Sequence, residues 1–311
     1  MTPTTPTATG ARSAALHALV LAGGFGRRLE PLARRLFGEA IPKQFCRFGD
    51  GRSLLQRTID RIAPLVPPER VTVVVDRTQA PRAARQLAGF RGLRRVEQPC
   101  SRGTAAGVLL PLLDLLGRDP AATVLLTPSD HGIADPSAFL ATVHAAQRAV
   151  AADPGRIVLV GAEPEAVRSD YGWIVRADRG GPVDAAERFV EKPPEEEAAA
   201  LHASGRALWN TMILVAKGRR LLGLLRDRQP RLCAEMEALL AARGRGARVS
   251  VEEYERLPVA DFSADVVGAA DALSVVALPL EAGWTDLGTE ERLQEWLRAG
   301  AGSRAQLAPT G

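Results

Sequence analysis

The apolar run Leu16–Ala22 empties directly into Gly23-Gly24-Phe25-Gly26, and this junction constrains the chain more than any other stretch. The run reads as a buried first strand. The glycines let the backbone turn sharply and aim its N–H groups at an anion. Arg27 and Arg28 follow at once, and Lys43 arrives in Ile41-Pro42-Lys43-Gln44-Phe45. Together these suit a polyphosphate, because guanidinium grips oxygens bidentately and ammonium adds a compact charge.

Two familiar glycine loops do not fit. A dinucleotide fingerprint would need Gly where Leu29 stands, and the next acid that ends a strand, Asp76, is too far along. A P-loop needs a Gly-Lys pair, which the sequence lacks. A tight turn under a strand would explain the glycines but not the cations. Only three of the 40 basic residues are lysines, Lys43, Lys192 and Lys217. In a chain that uses arginine by default, a retained lysine points to a site wanting a compact ammonium. Lys217, at a strand end, reads as surface.

With 311 residues and 46% hydrophobic content the chain can bury one large core. Its net charge of +4 comes as isolated arginines without a basic, aromatic-interleaved run, so no nucleic-acid partner is expected. Three widely spaced cysteines, Cys46, Cys100 and Cys233, indicate neither a disulfide framework nor zinc and agree with a reducing cytoplasm. Residues 1–14 read as a disordered tail and 300–311 as a loose one, with one domain expected over 15–299. No apolar stretch is long enough to span a membrane.

Strands are expected at Val71–Val75, Arg94–Glu97, Thr123–Thr127 and Ile157–Val160. Helices fall between them: Ser53-Leu54-Leu55-Gln56 offers a capping box, Thr104 can cap the apolar helix running to Leu116, and Asp135-Pro136 opens another. This alternation predicts a three-layer α/β fold around a mainly parallel central sheet, with ligands at the carboxyl ends of the strands. The glycine loop and Asp130 both fall there. From Tyr171 the pattern changes to strands at 171–175, 187–191 and 209–215, taken as a small lobe over about 165–216. Ser274–Leu280 then returns as a strand and leads to Trp284-Thr285-Asp286-Leu287-Gly288.

These pieces resemble the sugar-1-phosphate nucleotidyltransferases, and most the mannose-1-phosphate guanylyltransferase branch. The family opening Leu-x-Gly-Gly-x-Gly-Thr-Arg-Leu-x-Pro-Leu matches Leu21–Leu32 apart from Arg27 in place of Thr. The branch motifs Pro-Lys-Gln-Phe and Ser-Leu-Leu-Gln-Arg-Thr stand at 42–45 and 53–58. Arg102-Gly103-Thr104-Ala105 resembles Arg-Asn-Thr-Ala, Pro128–His131 resembles Pro-Ala-Asp-His, and Phe189–Pro193 matches Phe-Val-Glu-Lys-Pro. Trp209-Asn210 and Trp284-x-Asp286-x-Gly288 also have counterparts.

The resemblance implies a Rossmann-like fold that joins a nucleoside triphosphate, GTP in this branch, to a sugar 1-phosphate, mannose 1-phosphate, releasing pyrophosphate. Leu21, Ala22, Gly23, Gly24, Gly26, Gln98, Gly103 and Thr104 would hold the nucleotide, and Arg28 with Lys43 its triphosphate. Gly172, Glu191, Lys192 and Asn210 would line the sugar-phosphate side, and Asp130 with Asp286 would bind Mg²⁺. Arg28, Lys43, Asp130 and Lys192 carry the chemistry in this scheme. A homodimer is left open. Departures fall at Arg27, at Gly103, in an expanded segment 33–41, and at Trp209–Met212, one residue shorter than the usual Trp-Asn-Ser-Gly-Met; the branch's C-terminal extension is curtailed.

No general base is needed, since a phosphate oxygen is already ionised near neutral pH. On the residues alone, Asp130 reads as a turn cap, Asp286 as a solvated loop acid and His131 as structural. Trp173 and Trp209 read as core or as a sugar-stacking surface. The rival functions are the same chemistry on glucose 1-phosphate with UTP or dTTP, and a regulatory sugar-nucleotide binder without turnover.

Overall fold

A computed structural model describes residues 15–48, 50–177, 181–243 and 249–298; both expected tails lie outside these. The first half alternates as the sequence predicts: β1 (Leu16–Leu21), α1 (Glu30–Phe37), the two-residue strands β2 (Arg47–Phe48) and β3 (Arg52–Ser53), α2 (Leu54–Ile62), β4 (Val71–Asp76), α3 (Ala80–Leu87) and β5 (Arg94–Gln98). Then come α4 (Gly103–Arg118), β6 (Thr123–Pro128), α5 (Pro136–Ala152) and β7 (Ile157–Ala162). The second half holds β8 (Gly172–Arg176), β9 (Asp184–Glu191), α6 (Glu195–Ala203), β10 (Ala207–Lys217), α7 (Gly218–Arg228), α8 (Pro230–Arg243), α9 (Val251–Tyr254), β11 (Leu273–Leu278) and α10 (Glu290–Trp296).

Among the described residues nine strands form one sheet, in the order β5-β4-β1-β6-β10-β7-β11-β9-β8. Pairing is parallel from β5 to β6 and between β7 and β11. The long strand β10 inserts antiparallel between β6 and β7, and its first residues, Ala207–Trp209, pair with β8. β8 and β9 therefore continue the main sheet. Two apolar layers flank it: Ile59, Ile62, Phe139 and Val143 from α2 and α5 on one face, Leu109, Leu112, Leu221 and Leu225 from α4 and α7 on the other. Each such buried side chain contributes roughly 1.5–3 kcal/mol.

The expected capping box at Ser53 and the expected cap at Asp135 are both present. Ser53 and Gln56 exchange hydrogen bonds at the start of α2, and Asp135 caps α5 through the Ser137 N–H. Thr104 does not cap α4. That helix begins one residue earlier, at Gly103, and the Thr104 hydroxyl instead accepts from the Phe262 N–H at 2.6 Å and donates to Asp261 at 3.0 Å. The expanded segment 33–41 also has a physical account. Part of it is α1, closed by Gly38 at φ +75°, and Leu29, Leu32 and Ala33 pack with Leu287, Leu293 and Trp296. This third, smaller core ties the chain's start to its last helix. No helix among the described residues is long and apolar enough to cross a membrane.

Candidate functional site

The parallel strands deliver their loops to one edge. Behind β1, the carbonyls of Ala22 and Gly24 are held by the Gln44 side-chain amide at 2.9 and 2.7 Å, and Gln79 adds a bond to Gly24 at 3.2 Å. With the carbonyls turned inward, the N–H groups of Gly23, Gly24, Phe25 and Gly26 have no acceptor among the described residues. That is an anion-binding arrangement of backbone dipoles. A Cβ on Gly23 would lie 2.9 Å from the side-chain oxygen of Gln98, which would have to move aside. Gly26 has φ +59° and lies so close to Lys43 that a Cβ would meet its Cβ and backbone nitrogen at 3.0 Å.

Lys43 is buried, and its ammonium lies 2.9 Å from Asp130 Oδ2 while also donating to the Asp286 carbonyl. Gly26, Arg28, Lys43, Asp130, Asp286 and Gly288 line a common cavity of about 330 Å³. Arg28 is exposed at this cavity with no ion pair or hydrogen bond among the described residues. The two aspartates, far apart in sequence, are brought together by the backbone: Gly132 and Thr285 exchange N–H···O bonds of 2.9 and 3.1 Å. Both carboxylates are held below the usual carboxylate range. Burial alone would raise them, but Lys43 beside Asp130 and Arg292 beside Asp286 outweigh it.

His131 lies beside Asp130, its Nε2 3.9 Å from Oδ1. Burial pushes its pKa down to about 4, so it is neutral, and its Nδ1 accepts from the Trp284 indole at 3.3 Å. Trp284 in turn touches Tyr171 and Trp209 with ring centroids 5.5 and 6.3 Å apart, and Trp173 packs edge-on to Trp209. Trp173 and Trp209 are both buried, which makes them core rather than a stacking surface.

Along β8 and β9, Gly172 pairs with Glu191, and a Cβ on Gly172 would come within 2.7 Å of the Glu191 carboxylate and 3.3 Å of Asn210. Glu191 lies 3.2 Å from the Lys192 ammonium. The Lys192 N–H bonds the Tyr171 carbonyl at 3.2 Å, and the Tyr171 hydroxyl donates to Asp286 Oδ1 at 2.9 Å, so this group adjoins the aspartates. The shortened Trp209–Met212 segment is absorbed as a β-bulge in β10: Met212 adopts φ +58°, and its N–H bonds the Asn210 side chain at 3.0 Å. Lys192 and Leu287 also have positive φ, at +46° and +49°. Such strain in non-glycine residues persists only where surroundings enforce it.

Gly103 and Thr104 sit under the segment 257–262. Gly103 has φ +82°, and a Cβ there would meet the Ala260 carbonyl at 2.2 Å, which accounts for glycine at this position. Lys217 lies at the opposite end of the sheet, bonded to Thr123 at 3.0 Å. Sequence reasoning assigned no role to Gln44, Gln79, Tyr171, Asp170 or Arg292. Of these only Gln44 carried a signal, its place in Pro-Lys-Gln-Phe.

A mixed sheet layered with helices, with a glycine cradle, a buried lysine and two converging aspartates at its strand ends, defines an α/β protein with a candidate phosphate site. The chain belongs to the nucleotidyl transferase family, whose sequence profile matches residues 17–300. It is 34% identical over 278 residues to xanthan biosynthesis protein XanB of Xanthomonas campestris pv. campestris (strain B100), covering 87% of this chain and 57% of that protein. It is 34% identical over 295 residues to mannose-1-phosphate guanylyltransferase ManC of Salmonella typhimurium, covering 91% and 60%. The chain thus spans about three fifths of the length of these curated relatives. The crystal structure of mannose-1-phosphate geranyltransferase from Thermus thermophilus superposes with a TM-score of 0.79 at 33% identity, covering 91% of this chain and 79% of that one. UDP-glucose pyrophosphorylase complexed with UDP-glucose, at 14% identity and a TM-score of 0.56, shares the fold.

Proposed function

We propose that the chain transfers a nucleotidyl group from a nucleoside triphosphate, GTP, to a hexose 1-phosphate, mannose 1-phosphate, with release of pyrophosphate. The observation that carries this reading is the meeting of Lys43, Asp130 and Asp286 in one cavity under the glycine loop, with Arg28, unpaired among the described residues, beside it. Phosphates crowd such a cleft with charge, and two unit charges at 4 Å repel by about 4 kcal/mol at an effective dielectric of 20. Catalysis here is therefore mainly neutralisation and alignment.

An oxygen of the sugar phosphate attacks the α-phosphorus in line, forming one P–O bond as the α–β bridging bond breaks and pyrophosphate departs. The nucleophile is already ionised, so no proton is taken from it. Backbone N–H groups of Gly23, Gly24 and Gly26 face the nucleotide's phosphates, with Leu21, Ala22, Gln98, Gly103 and Thr104 on the nucleoside side. Lys43 exchanges Asp130 for a phosphate oxygen, and Arg28 draws charge onto the leaving group. Lys192 holds the sugar phosphate, while Glu191 accepts from a sugar hydroxyl beside Gly172 and Asn210, in the lobe over about 165–216.

Asp130 and Asp286 are the residues that would hold Mg²⁺. Two carboxylates with room for phosphate oxygens fit this hard cation, which takes few protein ligands, and no group of three or more potential ligands occurs among the described residues. When bound, Mg²⁺ supplies positive charge to the phosphates of the reacting centre. A cytoplasmic setting is part of the proposal, supported by three free thiols.

Pyrophosphate release across four nucleoside triphosphates and several hexose 1-phosphates tests the reading. GTP with mannose 1-phosphate should be fastest. Faster turnover of another pair would reassign the substrates, and no release with any pair would remove the activity.

A further inference from the structure

The structure assigns to Arg292 the role of a positioning residue that turns Asp286 so that a single carboxylate oxygen, Oδ2, is presented to the cavity; this rests on the metal role proposed above. Arg292 is buried at the start of α10, one helical turn beyond the Asp286 loop. One guanidinium nitrogen donates to Asp286 Oδ1 at 2.8 Å and the other to Asp170. The guanidinium also lies over the Tyr171 ring, 4.6 Å from its centroid.

Oδ1 receives two further bonds, from the Tyr171 hydroxyl and the Gly288 N–H, both at 2.9 Å. Three donors on one oxygen leave it little capacity to bind anything else. Oδ2 has no hydrogen bond among the described residues and lies against Gly288, where a Cβ would approach it to 2.5 Å. Gly288 itself lines the cavity. The carboxylate is therefore sorted into an anchored oxygen and an open one. Arg292 is what fixes the anchor, because its second nitrogen is tied to Asp170, in the turn that leads into β8. The same side chain thereby joins the last helix to the strands bearing Gly172 and Glu191. Outer partners of this kind orient a ligating carboxylate and set its basicity.

The test is Mn²⁺ binding to the full chain, followed by electron paramagnetic resonance with saturating GTP, for the wild type and for Arg292→Met, Arg292→Lys, Tyr171→Phe and Asp286→Asn. Arg292→Met and Tyr171→Phe should each weaken Mn²⁺ binding about 10-fold or more, with Arg292→Lys intermediate. Their circular-dichroism spectra should stay native. Should Arg292→Met not fold, Tyr171→Phe, which loses one hydroxyl, carries the test. Wild-type Mn²⁺ affinity in both variants while Asp286→Asn has lost it would overturn the positioning role and leave the metal assignment standing. Wild-type affinity in Asp286→Asn would remove the metal assignment, and the role of Arg292 with it.

Discussion

Gly132 and Thr285 are joined by a reciprocal pair of backbone hydrogen bonds, and this bridge is what sets Asp130 beside Asp286. A Cβ on Gly132 would lie 2.6 Å from the Trp296 indole nitrogen and 2.9 Å from a Thr285 methyl. Gly132→Ala must therefore push the two loops apart. The expected loss is about 2 kcal/mol of stability, from overpacking. Turnover should fall on the order of 100-fold, because a small misplacement of reacting groups is costly. Urea unfolding and pyrophosphate release check both, and a variant unchanged in each contradicts the bridge's role.

Lys43→Met leaves Asp130 without its partner. Lys43 is buried but the Asp130 side chain is 31% exposed, so the loss should be smaller than for a fully buried pair, on the order of 1–2 kcal/mol. Turnover should drop on the order of 100-fold or more, as for loss of a charge aimed at the transition state. Adding Asp130→Asn should restore part of the stability and none of the activity. Wild-type turnover in Lys43→Met would exclude lysine from the chemistry.

Gly172→Ala brings a methyl to within 2.7 Å of the Glu191 carboxylate. If Glu191 accepts from a sugar hydroxyl as proposed, displacing that carboxylate should raise KM for the hexose 1-phosphate roughly 10-fold. KM for the nucleotide should change little. Equal effects on the two substrates in steady-state kinetics would take Gly172 and Glu191 off the sugar side.

Metal-free stability should weaken on mild acidification. His131 has a folded pKa of about 4 against 6.5 for a free imidazole. Between those values the unfolded chain binds a proton that the folded chain refuses, so stability present above the unfolded value drains as pH falls, by roughly 3 kcal/mol in all. Asp130 and Asp286, whose folded pKa values are depressed, lose their contributions only at lower pH still, below the free value of 3.8. Urea unfolding of wild type and His131→Gln at about pH 7.5 and 4.5 measures this, and the variant should show the flatter slope. Identical slopes would remove His131 as the source.

The strands were readable because their β-branched runs are continuous, as in Val71–Val75, and the ligand-bearing edge followed from the alternation of strands with helices. The direction of β10 was not readable, since an apolar run between helices carries no sign of the neighbour it will pair with. α1 hid because its apolar positions are interrupted by Arg34 and Arg35, and its partner, α10, lies at the other end of the chain. Lys43, Asp130 and Asp286 were found through motifs, yet the Gly132–Thr285 bridge that unites them consists of backbone bonds and leaves almost no mark in residue identity. Arg292 escaped for a different reason. One arginine among the charges of a short terminal helix looks like a solvated side chain until its two carboxylates are seen. Thr104 shows the converse error, a hydroxyl in a good capping position claimed by a stronger tertiary partner.

The resting contact of Lys43 on Asp130 means that an incoming polyphosphate meets a floor whose positive and negative members are already balanced. Entry at Lys43 is then an exchange of partners within the cleft, with exposed Arg28 at its lining to meet the anion first. The ligand-free chain is spared two naked acids facing each other, and discrimination is deferred to the moment when something able to replace both sides of that contact arrives.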